Sequence, residues 1–175
     1  MRIIKYLFIA AFYTLMLSGC GLLCSDEKFT IEKKDYNGKE FRIDGYYYYL
    51  DSTSMRMSIK FFYHNGIVFS GGIESSELTE IENYLLNDYM DSIRDSQGNW
   101  SLFQVDKSEV ITESYYDNPP SACLDLMKTF YEIKNDTTLI RKRVDHPGYK
   151  NDIYNHVYHF KQFDHKPDSI NDFIK

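Results

Sequence analysis

The sequence predicts a mainly β protein of α+β type. An antiparallel meander of about eight strands, closed into a barrel or left as a curved sheet or sandwich, carries one amphipathic helix at about 77–94. Three observations support this. Asn65-Gly66 lies between two strand-like runs, and Asn-Gly in that setting is the strongest short-range hairpin signal. The 175 residues include 16 Tyr and 12 Phe against one Trp, and aromatic side chains pack well on pleated surfaces. One segment repeats its apolar residues at intervals of three and four, the period of a helix.

The chain opens with Met1-Arg2-Ile3-Ile4-Lys5, then an apolar run from Tyr6 to Leu17, then Ser18-Gly19-Cys20. A positive start, an apolar stretch and small residues form the order of an export signal. The run is too short to span a membrane, which takes roughly 20 apolar residues. Leu17-Ser18-Gly19-Cys20 resembles, position by position, the lipobox of bacterial lipoproteins. That resemblance implies cleavage before Cys20 and acylation of its thiol and its new amino group. Two or more chains, at about 0.8 kcal/mol per buried methylene, make such an anchor effectively permanent. Cys24 is a rival acceptor, but Leu23 before it is too large for the cleavage site. Gly21 in place of Asp points to the outer membrane. Ser25-Asp26-Glu27 resembles the acidic patch of surface-exported lipoproteins. Residues 1–19 are thus expected to be the signal and 36–175 one β-rich domain. Residues 20–35 are expected to form a flexible tether reaching about 40–50 Å.

Strand character begins near Phe41, where Phe41 to Tyr49 alternates and then becomes aromatic on both faces. Ser58–His64 and Ile67–Ile73 form the hairpin around Asn65-Gly66. Ser75-Ser76 supply a cap, Glu77 and Glu80 an acidic first turn, and Leu78, Ile81, Leu85, Leu86, Tyr89 and Ile93 an apolar helical stripe. Trp100–Val105 and Glu109–Tyr116 form a second hairpin across Asp106-Lys-Ser. Pro119-Pro120 excludes a central strand there. Leu124–Ile133 and Thr138–Val144 pair around Lys134-Asn-Asp136, and Tyr154–Phe163 is the last strand. Closing such a meander removes its exposed edges, and eight strands enclose space for side chains or one small ligand.

Charge restricts the partners. The chain carries 20 Lys+Arg against 26 Asp+Glu. Loss of Arg2 and Lys5 with the signal leaves 18 against 26, a formal −8. Nucleic acid is a poor partner for such a surface, since phosphate neutralisation drives that binding. Cys24 and Cys123 remain after acylation of Cys20. They have no framework spacing and read as free thiols, with a disulfide as the alternative.

No catalytic, metal or cofactor motif is present in the sequence, so no catalytic residue, metal ligand or cofactor is assigned, and a non-enzymatic role is favoured over an enzymatic one. His156 and His159 stand three apart, on opposite faces of a strand, and read as solvent-facing. A Gly-x-Ser-x-Gly elbow is absent, and Gly71-Gly72 ends a strand and does not open a helix. Many acids could be paired, but glycoside hydrolysis needs two at a set separation.

The aromatic excess is the feature that suggests a ligand. Tyr47, Tyr49 and Trp100 are the candidate ligand-binding residues, because such rings join an apolar body to a polar tip. Packing against the helix or neighbouring strands is the competing expectation.

Phe41-Arg-Ile-Asp-Gly-Tyr-Tyr-Tyr48, Phe61-Phe-Tyr-His-Asn-Gly-Ile-Val68 and Trp100-Ser-Leu-Phe-Gln-Val105 resemble segments of small lipoproteins of Bacteroidetes-type bacteria. Tyr131-Glu-Ile-Lys-Asn-Asp-Thr-Thr138 and Tyr158-His-Phe-Lys161 to Lys166-Pro-Asp-Ser169 extend the resemblance over most of the domain. It implies a lipocalin-like β fold and no established activity. The expected function is therefore a non-enzymatic, membrane-anchored envelope protein that binds a small apolar ligand or another envelope protein. A dry Tyr- and Phe-lined cavity between barrel and helix would favour the ligand, and a filled interior the protein contact. An enzyme acting on envelope or dietary glycans through paired carboxylates is the alternative.

Overall fold

The computed structural model describes residues 28–74, 78–86, 93–117, 124–148 and 150–175. The signal segment, Cys20, Cys24, Cys123, Pro119-Pro120 and part of the expected helix lie outside the described residues.

Eight antiparallel strands run in sequence order and close on themselves. They are β1 (Gly45–Asp51), β2 (Arg56–Phe62), β3 (Ile67–Ile73), β4 (Trp100–Asp106), β5 (Glu109–Asp117), β6 (Leu124–Asn135), β7 (Thr138–Asp145) and β8 (Asp152–Gln162). This is a lipocalin-like barrel, and closure removes the curved-sheet and sandwich alternatives. The closing seam pairs β1 with β8 through Gly45↔Gln162, Tyr46↔Lys161, Tyr47↔Phe160 and Tyr48↔His159. Gly45 is required there, because a Cβ would collide with the Lys161 carbonyl. Asn65-Gly66 turns the β2–β3 hairpin, with Gly66 at φ +78°, a backbone region that glycine enters without steric cost. The helix α1 (Leu78–Leu85) sits in the β3–β4 connection. Here β3 and β4 share only Ile67↔Leu102, Val68↔Ser101 and Phe69↔Trp100.

The wall separates two cores. Inside, one residue from every strand, Tyr47, Phe62, Val68, Phe103, Val110, Tyr131, Leu139 and Tyr158, joins a single buried cluster. Outside, β1–β4 bury Tyr46, Met57, Ile59, Phe61, Phe69, Trp100 and Leu102 beneath Leu85 of α1, Ile31, Phe163 and Ile174. The period-two alternation of a strand sends Tyr46 and Tyr47 to opposite cores.

Residues 28–44 carry no regular secondary structure, yet they are firmly held. Glu113, 1% exposed on β5, accepts from the Thr30 amide at 2.6 Å, the Thr30 hydroxyl at 2.8 Å and the Ile31 amide at 2.9 Å. Further along, Tyr36 donates its amide to the His64 carbonyl, and Arg42 donates its amide to that of Asp136. Tyr36 and Phe41 stack at 4.9 Å and close the hairpin end of the barrel, Phe41 lying 5.1 Å from the Phe62 ring. This corrects the flexible tether expected for 20–35: its last residues, 28–35, are part of the folded body. A buried carboxylate with three donors and an apolar Ile31 hold them there. From Cys20 to Lys28 the sequence counts eight residues, at most about 28 Å of contour. Phe41 likewise precedes the first strand and stops the barrel.

Candidate functional site

The barrel interior is half filled. Toward the turns of β2–β3, β4–β5 and β6–β7 it is solid with aromatic and aliphatic side chains. Toward the other end it opens into a cavity of about 190 Å³. That end holds the last residues of β3, β5 and β7 and the first of β4, β6 and β8. Small hydroxyl side chains make the space: Ser70, Ser101, Thr112, Ser114 and Thr129 line it, with Gly98, Met127 and Val144. Register explains the grouping. Ser101 pairs with Ser114, Thr112 with Thr129 and Ser114 with Met127, so one face of three adjacent strands turns small residues inward.

Two cations enter this space. Lys60 on β2 stands opposite Ser70 on β3, and its Nζ donates to Ser70 Oγ at 2.7 Å. Arg141 on β7 stands opposite Tyr131 on β6 and His156 on β8. Its Nη2 lies 2.6 Å from His156 Nδ1, its guanidinium lies 4.1 Å from the Tyr154 ring centroid, and its buried Nε has no hydrogen-bond partner among the described residues. A register shift between Arg141 and Arg143 separates the inward Arg141 from Arg143, which lies over the Phe130 ring at 3.9 Å. His146 completes the lining at the rim, 3.6 Å from Asp152. Among the described residues no carboxylate lines the cavity.

The titration of these groups reflects that imbalance. Burial, with the charge of Arg141 added, pushes Lys60 down to about 7. Burial and then Arg141 lower His156, which as the acceptor of an arginine N–H is the neutral imidazole. Burial raises Tyr131 well above its ordinary value.

The three candidate residues read from the sequence go to three places. Tyr49 stacks at 4.3 Å and 7° on His156, the imidazole bonded to Arg141, and is not among the residues that line the cavity. Tyr47 sits in the solid half and donates its hydroxyl to the Asp136 carbonyl at 2.9 Å. Trp100 is on the outer core, 4.9 Å from Phe69, with its indole N–H on the Arg94 carbonyl. His156 also departs from expectation: it turns inward, while His159 on the opposite face is exposed. Lys60 and Arg141 belong to no sequence motif. Lys60 shares a strand face with Phe62, but aromatic residues on both faces of β2 leave its phase uninformative, and Arg141 sits in an Arg-Lys-Arg run that reads as a solvated edge.

The outer helix encloses no Tyr- and Phe-lined chamber among the described residues. Leu85 packs onto the outer core, and beside it Glu82, Leu86, Lys161 and His165 border an open depression. No family model, curated protein or solved structure matches the chain, so the site is read from its own geometry.

Proposed function

We propose that this protein is a lipid-anchored envelope protein that binds a small molecule in the open half of its barrel and catalyses no reaction on it. The carrying observation is the cavity itself: a barrel interior solid at one end and about 190 Å³ empty at the other. At about 30 Å³ per water in the liquid, that space matches roughly six waters, the size of a small solute or one group of a larger one. Its hydroxyl and cationic lining favours a polar ligand over the apolar one that the aromatic content suggested, because those rings are consumed by the two cores.

The anchor rests on the lipobox-like Leu17-Ser18-Gly19-Cys20. Lys28 borders the same depression as His146, a cavity-rim residue. A link of at most about 28 Å from Cys20 would therefore keep the mouth, and not the stoppered end, toward the membrane. Palmitate-type labelling and membrane fractionation test the anchor: Cys20→Ala is expected to abolish both, and retained labelling would point to Cys24. Native mass spectrometry of the protein purified from its own membranes tests the binding. A bound small molecule that disappears when Thr112→Phe fills the cavity supports the reading. A protein that carries nothing, and whose thermal midpoint responds to no small solute, overturns it. The paired-carboxylate enzyme gains no support from a cavity whose lining includes no acid among the described residues.

A further inference from the structure

We infer that the ligand presents an oxyanion, a carboxylate or a phosphate, to Lys60 Nζ and the Arg141 guanidinium inside the barrel; this rests on the ligand-binding reading above. The charge around the cavity is unbalanced. The chain has 26 acidic residues against 20 basic ones, yet the cavity takes Lys60 and Arg141 and no carboxylate among the described residues. Two like charges on the inner wall of a barrel repel each other and lose hydration, a combination that folded proteins ordinarily compensate with a counter-charge. Elsewhere this chain does so: Arg42 meets Asp44, Arg94 meets Asp168, Arg143 meets Asp145 and Lys161 meets Glu82. Lys60 has a neutral serine oxygen instead, and Arg141 a neutral imidazole and a ring face.

The geometry suits an anion in particular. Arg141 is braced from behind, because Tyr49 stacks on His156 and His156 accepts from Nη2. Its Nε keeps a hydrogen-bond donor unspent. A guanidinium presents a planar fork that matches the two oxygens of a carboxylate or phosphate. Lys60 supplies a second, point-like charge from β2, separated from β7 around the wall by β1 and β8. Hydroxyls of Thr112 and Thr129 line the same space and can donate to remaining oxygens. The rest of such a ligand is small, or extends out through the mouth.

Isothermal titration calorimetry on the full-length protein tests this, with inorganic phosphate and acetate as probes and glycerol as the uncharged control. Saturable heat with at least one anion and none with glycerol is the expected result. Lys60→Met and Arg141→Gln should each weaken that binding about tenfold or more, the scale of one charge-assisted hydrogen bond. Thermal midpoints verify that each variant is folded, and Lys60→Met, which removes a buried charge, suffices if Arg141→Gln is not. Vesicles of phosphatidylcholine doped with phosphatidic acid separate the sources. If they abolish the phosphate heat, the anion is a lipid headgroup; if they leave it unchanged, it is a free solute. Either outcome supports the site. Anion binding that is unchanged in Lys60→Met overturns the assignment. A neutral molecule recovered from the native protein, with no heat from either anion, overturns it while leaving the ligand-binding reading intact.

Discussion

Lys60 Nζ donates to Ser70 Oγ across the β2–β3 pair at 2.7 Å, inside a barrel whose cavity lining offers it no carboxylate among the described residues. The same strand places Ile59 and Phe61 in the outer core. A lysine between two aromatic-rich layers, reaching inward to a neutral oxygen, is costly to keep charged. The cost is the signature of the site: it falls when an anion enters.

The sign of the pH dependence of folding follows from that burial. The unfolded chain holds the Lys60 proton to about pH 10.5, and the folded protein releases it near pH 7. Between those values the unfolded state binds more protons, so this group makes stability rise with pH across the window. Its penalty is full below about pH 7 and gone above about pH 10.5. Lys60→Met removes the penalty, so its thermal midpoint should exceed the parent's at about pH 6, with the gap closing by about pH 10. An equal gap at both ends would show that Lys60 titrates normally.

Glu113 holds the N-terminal strap by accepting from Thr30 twice and Ile31 once. Glu113→Gln leaves one acceptor oxygen and sets an amide N–H₂ against those donors. A loss of about 1–3 kcal/mol in denaturant unfolding is expected, with faster hydrogen exchange at the Thr30 and Ile31 amides. Unchanged exchange at those two amides would mean that the strap is held by Ile31 burial alone.

Phe41 stoppers the barrel, 2% exposed and ringed by Tyr36, Tyr47, Phe62 and Phe103. Phe41→Ala should cost about 3–5 kcal/mol by denaturant midpoint. Below about 1 kcal/mol, residues 36–44 would be a cover and not part of the core.

The sequence made the meander legible because its punctuation is local. Asn65-Gly66, Asp106-Lys-Ser and Lys134-Asn-Asp136 each mark a turn that a short hairpin uses, and closure follows from edges that must pair. The site was harder to read for two physical reasons. Aromatic residues fall on both faces of β1 and β2, so strand phase does not say which face is the interior, and Lys60 could not be assigned to it. Arg141 follows the interior Leu139 by ordinary alternation, but the register shift before Arg143 breaks that phase, so Arg141-Lys-Arg143 carries no continuous pattern to read. Tyr49 lies on the interior face of β1, stacked on His156, and is not among the residues that line the cavity. Trp100 lies on the other side of the same wall, where it serves the outer core.

The most direct test is the titration of Lys60 itself, followed by NMR on lysine-labelled protein and assigned by its loss in Lys60→Met. The account predicts a free-state pKa near 7 that moves upward when inorganic phosphate saturates the cavity, since a bound anion favours the charged amine. A Lys60 that titrates at the ordinary lysine value, with and without phosphate, would contradict it.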